Sequence, residues 1–101
     1  ARPGVEAYRY WDERPQPVVA DDPDLPTIAY VLKGQEAVFA VVSYAEEDRQ
    51  ANLTLDLAAM GMEEGCIVTD TETGEELQLE GHRLSFPLKK HDVRVCRVVP
   101  R

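Results

Sequence analysis

Asn52-Leu53-Thr54-Leu55-Asp56-Leu57 decides how this chain is read. Its leucines fall on one side of an extended backbone and its polar residues on the other. That is the period-two signature of a strand with one dry face and one wet face. Similar segments follow at short intervals on both sides. Residues 28–33 read as a strand, Gly34-Gln35-Glu36 as a hairpin turn, and residues 37–44 as the next strand. Residues 58–62 make one helical turn stopped by Gly61. Further strands are expected at 66–70, 76–79, 83–88 and 92–99, with a glycine turn at Gly74. About seven short strands at this spacing predict an all-β fold, an antiparallel two-layer β-sandwich of Greek-key type.

Three strands carry more detail. In 37–44, Val38, Ala40, Val42 and Tyr44 share one parity, and Ala37, Phe39 and Val41 the other. A strand apolar on both sides is central and covered twice, so a second cover from outside this chain is expected. In 83–88, Leu84, Phe86 and Leu88 point inward and Pro87 outward, which makes this an edge strand. In 92–99, Val93 and Val95 are assigned inward and Arg94 outward, with a bulge where the alternation breaks after Val95.

Residues 1–26 differ. They hold Pro3, Pro15, Pro17, Pro23 and Pro26, and proline interrupts regular structure. They are read as an extended lead-in with a short strand near 5–10 or 18–20, and 27–101 as the sandwich, within one domain overall. The first residue is Ala1, which suggests a processed product or an excised domain.

Composition narrows function by exclusion. The 19 acids against 11 bases leave a formal charge of −8. Such a chain does not displace phosphate counterions, so neither nucleic acid nor an anionic membrane surface is an expected partner. No apolar run approaches the ~20 residues of a membrane helix, and no signal-peptide pattern is present. Localisation stays open. Cys66 and Cys96 match no metal motif and read as buried thiols or one disulfide. His82 and His91 have no second ligand at zinc spacing. Ser43 and Ser85 lie within strands rather than on an exposed elbow. Asp21-Asp22-Pro23-Asp24 lacks the spacing of a calcium loop. No catalytic residue, metal or cofactor is expected.

Tyr8, Tyr10 and Trp11 remain, clustered outside the strand core. They suit packing against a neighbouring domain or stacking on a sugar ring.

Tyr10-Trp11-Asp12, Pro17-Val18-Val19 and Ile28-Ala29-Tyr30, followed by the strand ending Val42-Ser43-Tyr44, resemble the start of the C-terminal sandwich of multidomain glycoside hydrolases. Leu53-Thr54-Leu55-Asp56-Leu57, Met60-Gly61-Met62, the run from Val68 to Glu75, and the closing run from Lys89 to Val95 are similar to the rest of it. Ser43-Tyr44 stands where such domains commonly carry Asn. The resemblance spans residues 10–99. It implies a non-catalytic accessory domain whose partner is the catalytic (β/α) barrel of the same parent chain. Candidate contacts are Tyr8, Tyr10, Trp11, Phe39 and Val41. Two other readings are an autonomous carbohydrate-binding module and a homotypic interaction domain pairing through the 37–44 strand.

Overall fold

The computed structural model describes residues 4–101. Its strands are β1 (Glu6–Arg9), β2 (Val18–Ala20), β3 (Thr27–Leu32), β4 (Glu36–Val42), β5 (Arg49–Leu55), β6 (Cys66–Asp70), β7 (Glu76–Leu77), β8 (Arg83–Leu88) and β9 (Val93–Pro100). One helical turn, α1 (Leu57–Met60), follows β5. Six strands form one sheet in the order β1-β3-β4-β9-β6-β7, and three form the other in the order β2-β5-β8. Every pairing is antiparallel. The connections from β4 to β5 and from β8 to β9 cross between layers, so β9 returns to lie between β4 and β6. This is the all-β, antiparallel two-layer sandwich expected from the alternation.

The core lies between the layers. Leu53 and Leu55 of β5 and Leu84, Phe86 and Leu88 of β8 face Ala29, Val31, Phe39, Val41, Val68 and Val98 of the larger sheet. Leu57, Met60 and Met62 belong to the same buried cluster. The helical turn starts where Asp56 accepts a 3.0 Å hydrogen bond from the Ala59 N–H, an N-cap. It stops at Gly61, left-handed at φ 72°. The Gly34 N–H donates to the Met60 carbonyl at 2.8 Å, fastening this turn to the β3–β4 hairpin.

The lead-in is not separate from the sandwich. β1 pairs with β3 and β2 with β5, while Pro17, Val18 and Leu25 are buried. These strands are four and three residues long, contain no proline, and both lie on sheet edges.

β9 is the reverse of its expected orientation. Its register against β4 is unbroken, with Phe39 opposite Cys96 and Val41 opposite Arg94. Hence Arg94, Cys96 and Val98 face inward, Val93 and Val95 face outward, and no bulge interrupts the pairing. An arginine tolerates the inner face because Asp70 and Glu75 bind it there. Cys96 pairs with Asp70, four residues along β6 from Cys66. At the strand rise that separates the cysteines by roughly 13 Å, too far for a disulfide. Both thiols are free and buried, and burial pushes that of Cys96 up to about 12.

β8 is an edge, as Pro87 indicated. Its free side is blocked to a further strand. Arg83 exchanges both backbone hydrogen bonds with Glu80, and Pro87 has no N–H to give.

Two glycines with similar φ separate backbone strain from collision. A Cβ on Gly61 would lie 2.7 Å from the Gly34 nitrogen, whereas one on Gly74 (φ 78°) would meet nothing within 4 Å. Gly74→Ala is expected to cost about 1 kcal/mol and Gly61→Ala about 3 kcal/mol or more. Urea denaturation of the two variants checks this; equal losses would show that the hairpin can yield.

Candidate functional site

A residue and its cross-strand partner share a sheet face, so register alone gives the composition of each outer surface. On the outside of the six-stranded sheet, Ala7, Tyr30 and Val38 form one row; Ile28, Ala40 and Val95 another; Val42 and Val93 a third. Leu32 and the Val99–Ile67 pair extend the surface. Its polar members are Arg9, Glu36, Arg97, Thr69 and Glu76. Arg97 and Glu36 neutralise one another in a close ion pair. Tyr30 is 48% exposed, Val93 likewise, and most of the other apolar members are half-buried.

The outside of the three-stranded sheet is opposite in character. Gln50, Asn52, Thr54, Arg83, Ser85 and Pro87 occupy β5 and β8 there, and Val19 faces the same way from β2, so Val19 and Pro87 are the apolar members. The Ser85 hydroxyl donates to Asn52 Oδ1 at 2.8 Å, a hydrogen bond typical of a wetted face. The molecule thus has one water-facing side and one apolar side.

The five candidate contact residues divide. Phe39 and Val41 are 1% and 0% exposed, in the domain's own core. They have no surface to present, and the same strand offers Val38, Ala40 and Val42 instead. Alternation identified two faces correctly but not which was internal, since both are apolar. Tyr10 and Trp11 are 50% and 60% exposed at the turn after β1. Asp12 ties that turn, its N–H donating to the Arg9 carbonyl at 2.9 Å and its carboxylate accepting from the Arg9 N–H at 3.0 Å. The two rings meet edge to face, 4.8 Å apart and 89° between planes. Tyr8 packs against the core with the Arg14 guanidinium over its ring at 4.1 Å, and its hydroxyl donates to Glu6 at 3.0 Å.

Sequence reasoning grouped Val38, Ala40 and Val42 on one face of β4 but did not join them to the outer faces of β3 and β9. The available signal was that all three segments are apolar at both parities, which adjacent strands with two covered faces require. It also missed a charged cluster on the inner face. Asp70, 6% exposed in its side chain, accepts from Arg94 Nε at 2.6 Å and from the backbone N–H groups of Glu72 and Thr73 at 2.8 and 2.9 Å. Arg94 also donates to Glu75 at 2.7 Å and stacks over the Phe86 ring at 4.7 Å. The acids at 22 and 24 are likewise engaged, accepting from Arg49 at 2.7 and 3.1 Å. Among the described residues, no group of three or more His, Cys, Asp or Glu is placed to hold a metal ion.

No protein-family model matches the chain, and no curated protein does. Solved structures do share its fold. A protein of Bacillus halodurans provisionally described as an alpha-N-acetylgalactosaminidase superposes with a TM-score of 0.66 at 20% identity, over 83% of this chain and 20% of its own. Alpha-galactosidase I of Mortierella vinacea superposes with a TM-score of 0.65 at 14% identity, over 93% of this chain and 23% of its own. The chain therefore spans about a fifth of the length of these enzymes and has the fold of that part of them.

The Thr73 N–H first, then the Arg94 guanidinium and the Glu72 N–H, hold the Asp70 carboxyl below the usual carboxylate range. A depressed folded pKa means the unfolded chain binds more protons in that window. Asp70 thus contributes stability fully above its unfolded pKa of about 3.9, and loses it as pH falls through the lower folded value. Asp70→Asn is expected to be less stable at pH 7 and to show a smaller further loss below pH ~4. Denaturant midpoints measured across that range check it; an unchanged acid slope would contradict the assignment.

Proposed function

We propose that this chain is a non-catalytic accessory β-sandwich of a glycoside hydrolase-like protein. It packs the outer face of its six-stranded sheet on the catalytic (β/α) barrel of the same parent chain and stabilises it. One observation carries this reading: the larger sheet is apolar outside as well as inside, while the smaller sheet is polar outside. Water does not reward a valine-rich outer face, and a contiguous patch of that kind marks a contact. Domain interfaces within one chain typically bury about 600–1,500 Å². The structural likeness to about a fifth of two larger enzymes supports the same reading, because in those chains this fold is one part among others.

Two alternatives fare less well. A flat sugar-binding platform needs aromatic rings in one plane, and those of Tyr10 and Trp11 stand at 89°. Pairing of two copies through the 37–44 strand cannot use its edges, since β3 and β9 occupy both. A dimer would have to use the same outer face.

The full gene product, with and without this domain, tests the proposal. Deletion is expected to lower the thermal inactivation temperature of the parent enzyme by several degrees, leaving the kcat of surviving enzyme unchanged. Val38→Asp with Ala40→Asp in the full product is expected to act like the deletion, while the 101-residue chain carrying both changes keeps its β fold. Equal inactivation temperatures for intact and deleted enzyme would overturn the reading.

A further inference from the structure

A groove of about 680 Å³ opens where β7 of one sheet and β8 of the other leave the sandwich edge uncovered. This volume lies in the range of small-molecule sites. The groove lies at the β7–β8 edge; of its lining only Glu76 belongs to the outer face of the larger sheet, and the apolar rows on β3, β4 and β9 do not line it.

Its walls hold hydrogen-bond donors with no side-chain partner among the described residues. The amide of Gln78 and the guanidinium of Arg83 make no side-chain hydrogen bond or ion pair among the described residues, and both line the groove. Arg94 also lines it. That guanidinium is held by Asp70 through Nε, by Glu75 through Nη2 and by the Phe86 ring, leaving the N–H groups of Nη1 uncommitted. It is a planar donor fixed in place before any ligand arrives. Glu80 and Ser85 supply acceptor oxygens on the same walls, and Pro87 an apolar surface.

The lining selects among ligands. Glu75, Glu76 and Glu80 oppose Arg83 and Arg94, so an anion meets carboxylates and a cation meets guanidiniums. An apolar ligand would strip water from those charges without returning hydrogen bonds. An extended peptide would add to β8, but the Arg83–Glu80 bridge and Pro87 close that edge. What fits is a neutral molecule rich in hydroxyl groups, which both donates and accepts. We propose that the β7–β8 groove binds a neutral saccharide, with Arg83, Gln78 and the free edge of Arg94 as its donors. The choice of saccharide among neutral polyols rests on the reading as part of a carbohydrate-active protein; the site itself rests on the groove.

The test is an amide and guanidinium NMR titration of the 101-residue chain with galactose and with raffinose, a neutral trisaccharide. Hexalysine and a short polygalacturonate serve as charged probes. Saturable shifts at Gln78, Arg83, Ser85 and the Arg94 Nε–H with the neutral sugars are expected. Arg83→Ala and Gln78→Ala, both exposed and outside the core, are expected to weaken binding by about tenfold each with the rest of the spectrum unchanged. No saturable shift with either sugar would overturn the proposal. So would a response to a charged probe alone, or shifts gathered at Tyr10 and Trp11. None of these results touches the docking proposal, which is read from the stability of the parent enzyme.

Discussion

Water is a poor neighbour for both faces of the larger sheet, and the rest of the molecule follows from that. One face is served internally by the leucines of β5 and β8, which close the sandwich. The other has nothing among the described residues to cover it. Ile28, Tyr30, Val38, Ala40, Val42, Val95 and Val99 lie side by side across β3, β4 and β9. Burying such surface is worth about 25 cal/mol per Å², so a partner for it gains affinity from area before any specific contact is made. Two of the four charges on that face, Glu36 and Arg97, pair with each other, and the other two, Arg9 and Glu76, lie on the outer strands β1 and β7.

Charge is arranged differently elsewhere. Arg94 reaches into the inner face at the uncovered end, where Asp70 and Glu75 hold it and Phe86 supports its plane. Arg49 ties the acidic turn at Asp22 and Asp24 to the start of β5. These pairs let a chain of strongly negative charge keep its loops close to its strands. At the β7–β8 edge the two sheets leave a polar groove between them.

How far the primary structure could be read depended on contrast between the two sides of each strand. β5 was unambiguous because leucine alternates with asparagine, threonine and aspartate. β8 was equally clear, and its proline marked it as an edge. β4 showed two apolar faces, but periodicity does not say which is internal, so Phe39 and Val41 were assigned to a partner they do not reach. β9 failed for the same reason. Valines stand at both parities, and a charged residue would ordinarily be placed outside; only the tertiary partner Asp70, 24 residues earlier, reverses that. Prolines made β1 and β2 look like a lead-in because local propensity cannot register pairing with β3 and β5. A need for cover on a second face was legible in 37–44, and which parity needs it was not.

The central question is whether the outside of the six-stranded sheet is covered by a neighbouring domain, as proposed. Hydroxyl-radical footprinting of the 101-residue chain and of the full gene product, read by mass spectrometry, measures that directly. Tyr30, Val38 and Val95 should label in the isolated chain and be protected in the full product, while Arg83 and Pro87 on the polar sheet label alike in both. Equal labelling of Tyr30, Val38 and Val95 in the two forms would contradict the proposed cover.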